Sequence, residues 1–70
     1  MRIKLHFRKE VCQRMIAEGV VPSYDFTGPE FANSPSKPSF TKSFVHVESE
    51  DGTIYSYPTH TITRVAQYKT

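Results

Sequence analysis

Hydrophobic and polar positions alternate strictly at the start of the chain. Ile3, Leu5 and Phe7 fall on one side of an extended segment, and Arg2, Lys4, His6 and Arg8 fall on the other. A period of two predicts a strand over residues 2–8 with one buried face and one basic face. The period then changes. Val11, Cys12, Met15 and Ile16 form one stripe of a helix over residues 9–18. Glu10 precedes Arg14 by four positions, the favourable order for an ion pair along a helix. Gly19 supplies a C-terminal cap, and Pro22 makes continuation of the helix unfavourable. So short a helix must rest on a sheet to persist.

Residues 20–41 keep no period. Pro22, Gly28, Pro29, Pro35 and Pro38 punctuate them, with Ser, Asn and Asp between. They read as one long Pro-rich loop, of a length that inside a compact domain is usually functional or disordered. Tyr24, Phe26, Phe31 and Phe40 lie in it, more aromatics than a disordered linker carries. Residues 22–33 are expected to dock these rings on the core, and residues 34–38 to be the mobile piece.

The alternation returns at Ser43–Ser49 and again at Ile54–Tyr57, with Asp51-Gly52 between. An Asp-Gly pair flanked by alternating runs predicts a hairpin with a two-residue turn, both of whose residues need positive φ. Pro58 breaks the ladder. Residues 60–68, rich in Thr, Ile, Val and Tyr, read as a last strand. A two-residue turn sets Glu48 opposite Tyr55 and His46 opposite Tyr57. One face then collects Val45, Val47, Ile54 and Pro58, and the other Phe44, His46, Tyr55 and Tyr57. The aliphatic face is the natural core, because a single helix covers one face of a small sheet. A slip of one residue in the turn would exchange the faces.

The expected architecture is α+β in β-α-β-β-β order: a small antiparallel sheet with one short helix packed on one face and a long Pro-rich loop. The stretch from Asp51-Gly52 through Pro58, with Ile62 and Val65, resembles the closing strands of small five-stranded barrels of the Sm-like and SH3-like type. The resemblance covers about the last third of the chain and rests on no diagnostic residue, so it implies no site residues. The opening strand-then-helix order and the Pro-rich insertion depart from the simple Sm-like pattern.

Length and charge narrow the function. Seventy residues make one small domain. A chain of this size buries only about 60% of the surface its unfolded form exposes. Nine Lys+Arg against seven Asp+Glu give +2, milder than a dedicated nucleic-acid binder usually shows. The charges are polarised: Arg2, Lys4, Arg8, Lys9 and Arg14 crowd the start, and Glu48, Glu50 and Asp51 crowd one later point. A lone cysteine, Cys12, excludes an internal disulfide and suits a reducing, cytoplasmic setting. The first residues show no apolar leader segment, and no apolar run approaches the roughly 20 residues of a membrane span.

Catalytic and metal chemistry find little support. His6, His46 and His60 lack metal-motif spacing, no acid–base pair is recognisable, and Cys12 sits on the apolar stripe of the helix, where a structural role is expected. No phosphate-cradling glycine loop is present, and no cofactor or metal is expected. Ser34-Pro35 has the form of a proline-directed phosphorylation site, and Pro35-x-x-Pro38 that of a polyproline ligand; both patterns are short and common in loops. The expectation is therefore a non-enzymatic binding or regulatory protein that docks on another protein. Phe44, His46, Tyr55 and Tyr57, with Tyr24 and Phe26 of the loop, would make the contact. Its brevity, immediate strand and lack of catalytic motifs suit the accessory or inhibitor proteins of bacteriophages. The alternative is a small nucleic-acid-binding module in which Arg2, Lys4, His6 and Arg8 hold phosphates and the tyrosines stack on bases. A homodimer through an uncovered sheet edge stays open.

Overall fold

The computed structural model describes residues 1–21 and 24–69. The first alternating segment is a strand, β1 (Arg2–Phe7), and the helical stripe is α1 (Lys9–Ala17). Gly19, at φ 73°, ends the helix. Its N–H donates to the Ile16 carbonyl at 3.1 Å and the Val20 N–H to the Met15 carbonyl at 2.9 Å, the paired bonds of a left-handed cap. Pro22, expected to stop the helix, lies outside the described residues.

Five further strands and a 3-10 turn follow. They are β2 (Glu30–Phe31), β3 (Ser39–Phe40), β4 (Phe44–Glu48), β5 (Ile54–Pro58), the 3-10 turn Thr59–Thr61, and finally β6 (Ile62–Tyr68). They form two three-stranded antiparallel sheets, in the orders β2-β1-β6 and β3-β4-β5. The class is small α+β, but the order is not the expected β-α-β-β-β. Two short strands lie inside the segment expected to be a continuous Pro-rich loop, and the strands make two three-stranded sheets where one small sheet was expected.

The core lies between the sheets. Ile3 and Leu5 of β1 and Val45 and Val47 of β4 are buried together, with Phe31, Tyr57, Ile62 and Val65 packed on them. Each fully buried aliphatic side chain is worth about 1.5–3 kcal/mol relative to exposure. This corrects the expectation that the helix covers the sheet. The second sheet does so, and of the nine residues of α1 only Cys12 is buried.

The segment before β2 runs antiparallel along β1. The Leu5 N–H donates to the Pro29 carbonyl at 3.0 Å and the Phe7 N–H to the Thr27 carbonyl at 2.8 Å. Pro29 only accepts, as a proline on an edge strand must. Ser34 extends the pairing, since its N–H donates to the Met1 carbonyl at 2.9 Å. Residues 34–38, expected to be mobile, are tied in: Ser34 is 3% exposed, its hydroxyl donates to the Ser36 carbonyl, and the Ser36 hydroxyl reaches Glu48 at 3.0 Å.

The hairpin register also differs from expectation. Val47 faces Tyr55, Val45 faces Tyr57 and His46 faces Ser56. The Ser49 N–H donates to the Thr53 carbonyl, and the Gly52 N–H to the Ser49 carbonyl, so the loop is the three residues Glu50-Asp51-Gly52. The reason is in the backbone. A two-residue turn needs positive φ at both Asp51 and Gly52, whereas Gly52 alone has it, at φ 89°. The Asp51 carboxylate instead accepts bonds from the Ser49 hydroxyl and the Thr53 N–H. The slip moves Tyr55 and Tyr57 onto the face of Val45 and Val47, and leaves Phe44 and His46 on the opposite one. The expected single face of four aromatic residues does not form.

Candidate functional site

The sequence-derived residues fall into three places. Tyr57 packs against Phe7, ring centroids 5.7 Å apart, and Tyr55 against Phe31 at 5.6 Å, so both lie at the seam between the sheets. Phe44 and His46 neighbour each other at 6.1 Å on the outer face of the second sheet, where His46 Nδ1 lies 2.6 Å from the Ser56 hydroxyl. Tyr24, Phe26 and His6 come together elsewhere. They line a groove of about 660 Å³ bounded by α1, the end of β1, the start of β6 and residues 24–27. That volume lies within the range of about 300–1,000 Å³ typical of ligand-binding clefts.

Local folding builds this groove. The β1–β6 register shifts between His6 and Phe7, where Thr63 is left as an extra residue on β6. Such a bulge bends a strand and re-aims its side chains. The Thr63 hydroxyl donates to the His6 carbonyl at 3.2 Å. Phe26 rests on Phe7 at 6.1 Å, so a row of rings, Phe26–Phe7–Tyr57, joins the groove to the core. Cys12 and Ile16 supply the helical wall. Tyr24 stands at the rim, 89% exposed.

Cations gather at the same place. Arg64 lies opposite His6 in the ladder, its Nη2 3.3 Å from His6 Nε2, and Lys9 borders the groove from the first turn of α1. Burial, then the charges of Arg64 and Lys4, hold the His6 pKa below its ordinary value. Among the described residues no Asp or Glu lines the groove. Arg64 and Lys9 were not singled out as site residues in the sequence. Arg64 is one charge in a strand that reads as ordinary, and only the pairing with β1 brings it beside His6.

The basic residues of β1, and Arg8 just after it, have partners within the chain. Lys4 Nζ donates to the Gly28 carbonyl at 2.6 Å, Arg8 Nε to the His60 carbonyl, and the Arg2 guanidinium lies 4.3 Å from the centroid of the Tyr68 ring. Arg2, Lys4 and His6 share the outer face of their sheet with Arg64, as the alternation of β1 requires.

Among the described residues no cluster of His, Cys, Asp and Glu is arranged to hold a metal, and no helix is long and apolar enough to cross a membrane. No family model matches the chain, and no curated protein or solved structure matches it.

Proposed function

We propose that this chain is a non-enzymatic binding module, of an accessory or inhibitory kind, that docks on another protein through the groove beside α1. One observation carries the reading: Tyr24 stands almost fully exposed at the rim of a groove with apolar walls. A large aromatic side chain held in water next to concave apolar surface is the pattern of an interface anchor, because burying it on a partner gains area the free chain cannot cover. Tyr24 and Phe26 are then the contact residues. Tyr55 and Tyr57 contribute by fixing Phe31 and Phe7 beneath, and Phe44 and His46 form a separate outer surface. A free Cys12 suits a cytoplasmic setting.

The test is a photo-crosslinking amino acid placed at position 24 in the expressed full chain, with the adduct identified by mass spectrometry. The expected result is a defined protein adduct that Phe26→Ala abolishes while the chain stays folded. Cross-links spread over unrelated proteins and indifferent to Phe26→Ala would sink the reading.

A second reading is nucleic-acid binding, favoured by the shared outer face of Arg2, Lys4, His6 and Arg64. Against it, Lys4 and Arg8 are hydrogen-bonded and Arg2 is stacked within the chain. Fluorescence anisotropy with generic oligonucleotides at about 50 and about 200 mM salt separates the two readings, since phosphate-led binding collapses over that range.

A further inference from the structure

We infer that the segment received by the groove is an acidic one: a peptide stretch of the partner with a carboxylate next to an aromatic or branched aliphatic side chain. The inference rests on the docking reading above and specifies its partner.

The apolar half of the groove is the wall of Phe7, Cys12, Ile16 and Phe26, which accepts a ring or a branched side chain. The polar half is the pair Arg64 and His6. One guanidinium N–H of Arg64 points at His6 Nε2, and a guanidinium has five donors in a fixed fork, so others stay available to a carboxylate. Lys9 adds charge from the first turn of α1, where the helix dipole is itself positive. A wholly apolar occupant would strip water from these cations and return nothing. A basic occupant would be repelled. A carboxylate answers both, and the neighbouring apolar residue fills the wall.

The geometry also implies proton uptake. The charged groups around His6 are Lys4 on its own strand, Arg64 on β6 and Lys9 on α1; Asp25, next to Tyr24, does not line the groove and has an interaction of its own. Burial first, and then the charges of Arg64 and Lys4, make the imidazole resist protonation. A carboxylate seated there favours the imidazolium, so the bound complex takes up a proton. Affinity therefore rises as pH falls toward the lowered pKa of the free His6, and His6→Asn removes that dependence.

The experiment is selection of a displayed random-peptide library on the full chain, followed by anisotropy titration of labelled synthetic hits. The expected hits hold Asp or Glu within two positions of an aromatic or branched aliphatic residue. Replacing that acid by its amide weakens binding about tenfold or more, the size of a charge-assisted bond. Arg64→Glu and, separately, Lys9→Glu weaken it likewise, with the fold checked by amide NMR spectra. Hits indifferent to the amide replacement, yet lost with Phe26→Ala, overturn the acidic segment and leave the docking groove standing. A library that yields nothing above background overturns both, as do hits displaced by a generic oligonucleotide at about 50 mM salt but not at about 200 mM.

Discussion

Val47 stands directly opposite Tyr55 in the β4–β5 ladder, and this pairing sends both hairpin tyrosines toward the seam between the sheets. Tyr57 therefore packs on Phe7 beside the core, and burial pushes its hydroxyl pKa up, with a further contribution from Tyr55. Tyr57→Ala is expected to cost about 2 kcal/mol, less than the 3–5 of a fully buried aromatic because the ring is only half-buried. Tyr55→Ala, at a more exposed ring, should cost about 1 kcal/mol. Urea unfolding followed by circular dichroism measures both. A Tyr57→Ala variant as stable as the parent would contradict the packing.

The alternation of Ile3, Leu5 and Phe7 was legible because a strand with one buried face repeats every two residues, and Gly19 was legible because a left-handed cap selects glycine. The hairpin was legible as a hairpin but not in register. Asp51-Gly52 fits a two-residue turn and also the last two positions of a three-residue one, and the choice depends on the φ of Asp51, which no pattern encodes. The strands β2 and β3 are two residues each, too short to show a period. Pairing with β1 and β4 makes them strands. The groove was half legible: Tyr24 and Phe26 stood out as aromatics in a polar stretch, but Arg64 joins His6 only through a contact 58 positions away in the chain.

Gly28 provides a sharper test of that pairing. Its φ is 150°, and a β-carbon there would overlap the Leu5 carbonyl oxygen and lie 2.8 Å from the Leu5 carbonyl carbon. Both atoms are backbone of the central strand and cannot yield without opening the sheet. Gly28→Ala is expected to destabilise the chain by about 2 kcal/mol or more, given the strain of that backbone region and the clash together. Hydrogen exchange should show the Leu5 and Phe7 amides losing protection first. Gly52→Ala, where nothing crowds the added carbon, should cost only the strain of its positive φ.

Asp51 ties the hairpin loop to pH. Bonds from the Ser49 hydroxyl and then the Thr53 N–H and hydroxyl lower its carboxyl pKa to about 2 from 3.8. A depressed carboxylate pKa stabilises the folded form above the unfolded value, and the contribution disappears as pH falls through the folded value. The loop is therefore expected to loosen between about pH 4 and about pH 2. NMR titration should place the Asp51 midpoint near the lower end, with the Thr53 amide shift moving alongside. Asp51→Ala should abolish that step, and an Asp51 midpoint near 4 would contradict the hydrogen bonds.

Ser34 gives the last prediction. The Ser34-Pro35 motif has the form of a modification site, but its serine is among the most buried residues of the chain, and its backbone N–H closes the N-terminal end of β1 through the Met1 carbonyl. The hydroxyl already donates to the Ser36 carbonyl at 2.7 Å. A negative charge there would be buried, lose that donor and face the carbonyl it once bonded. Ser34→Asp is expected to cost about 2 kcal/mol or more. Ser34→Ala, which removes one hydrogen bond without adding charge, should cost about 1 kcal/mol. The contrast between the two, read from urea midpoints, tests the burial. Equal midpoints for Ser34→Asp and the parent would mean that residue 34 is open to solvent and that the motif is accessible after all.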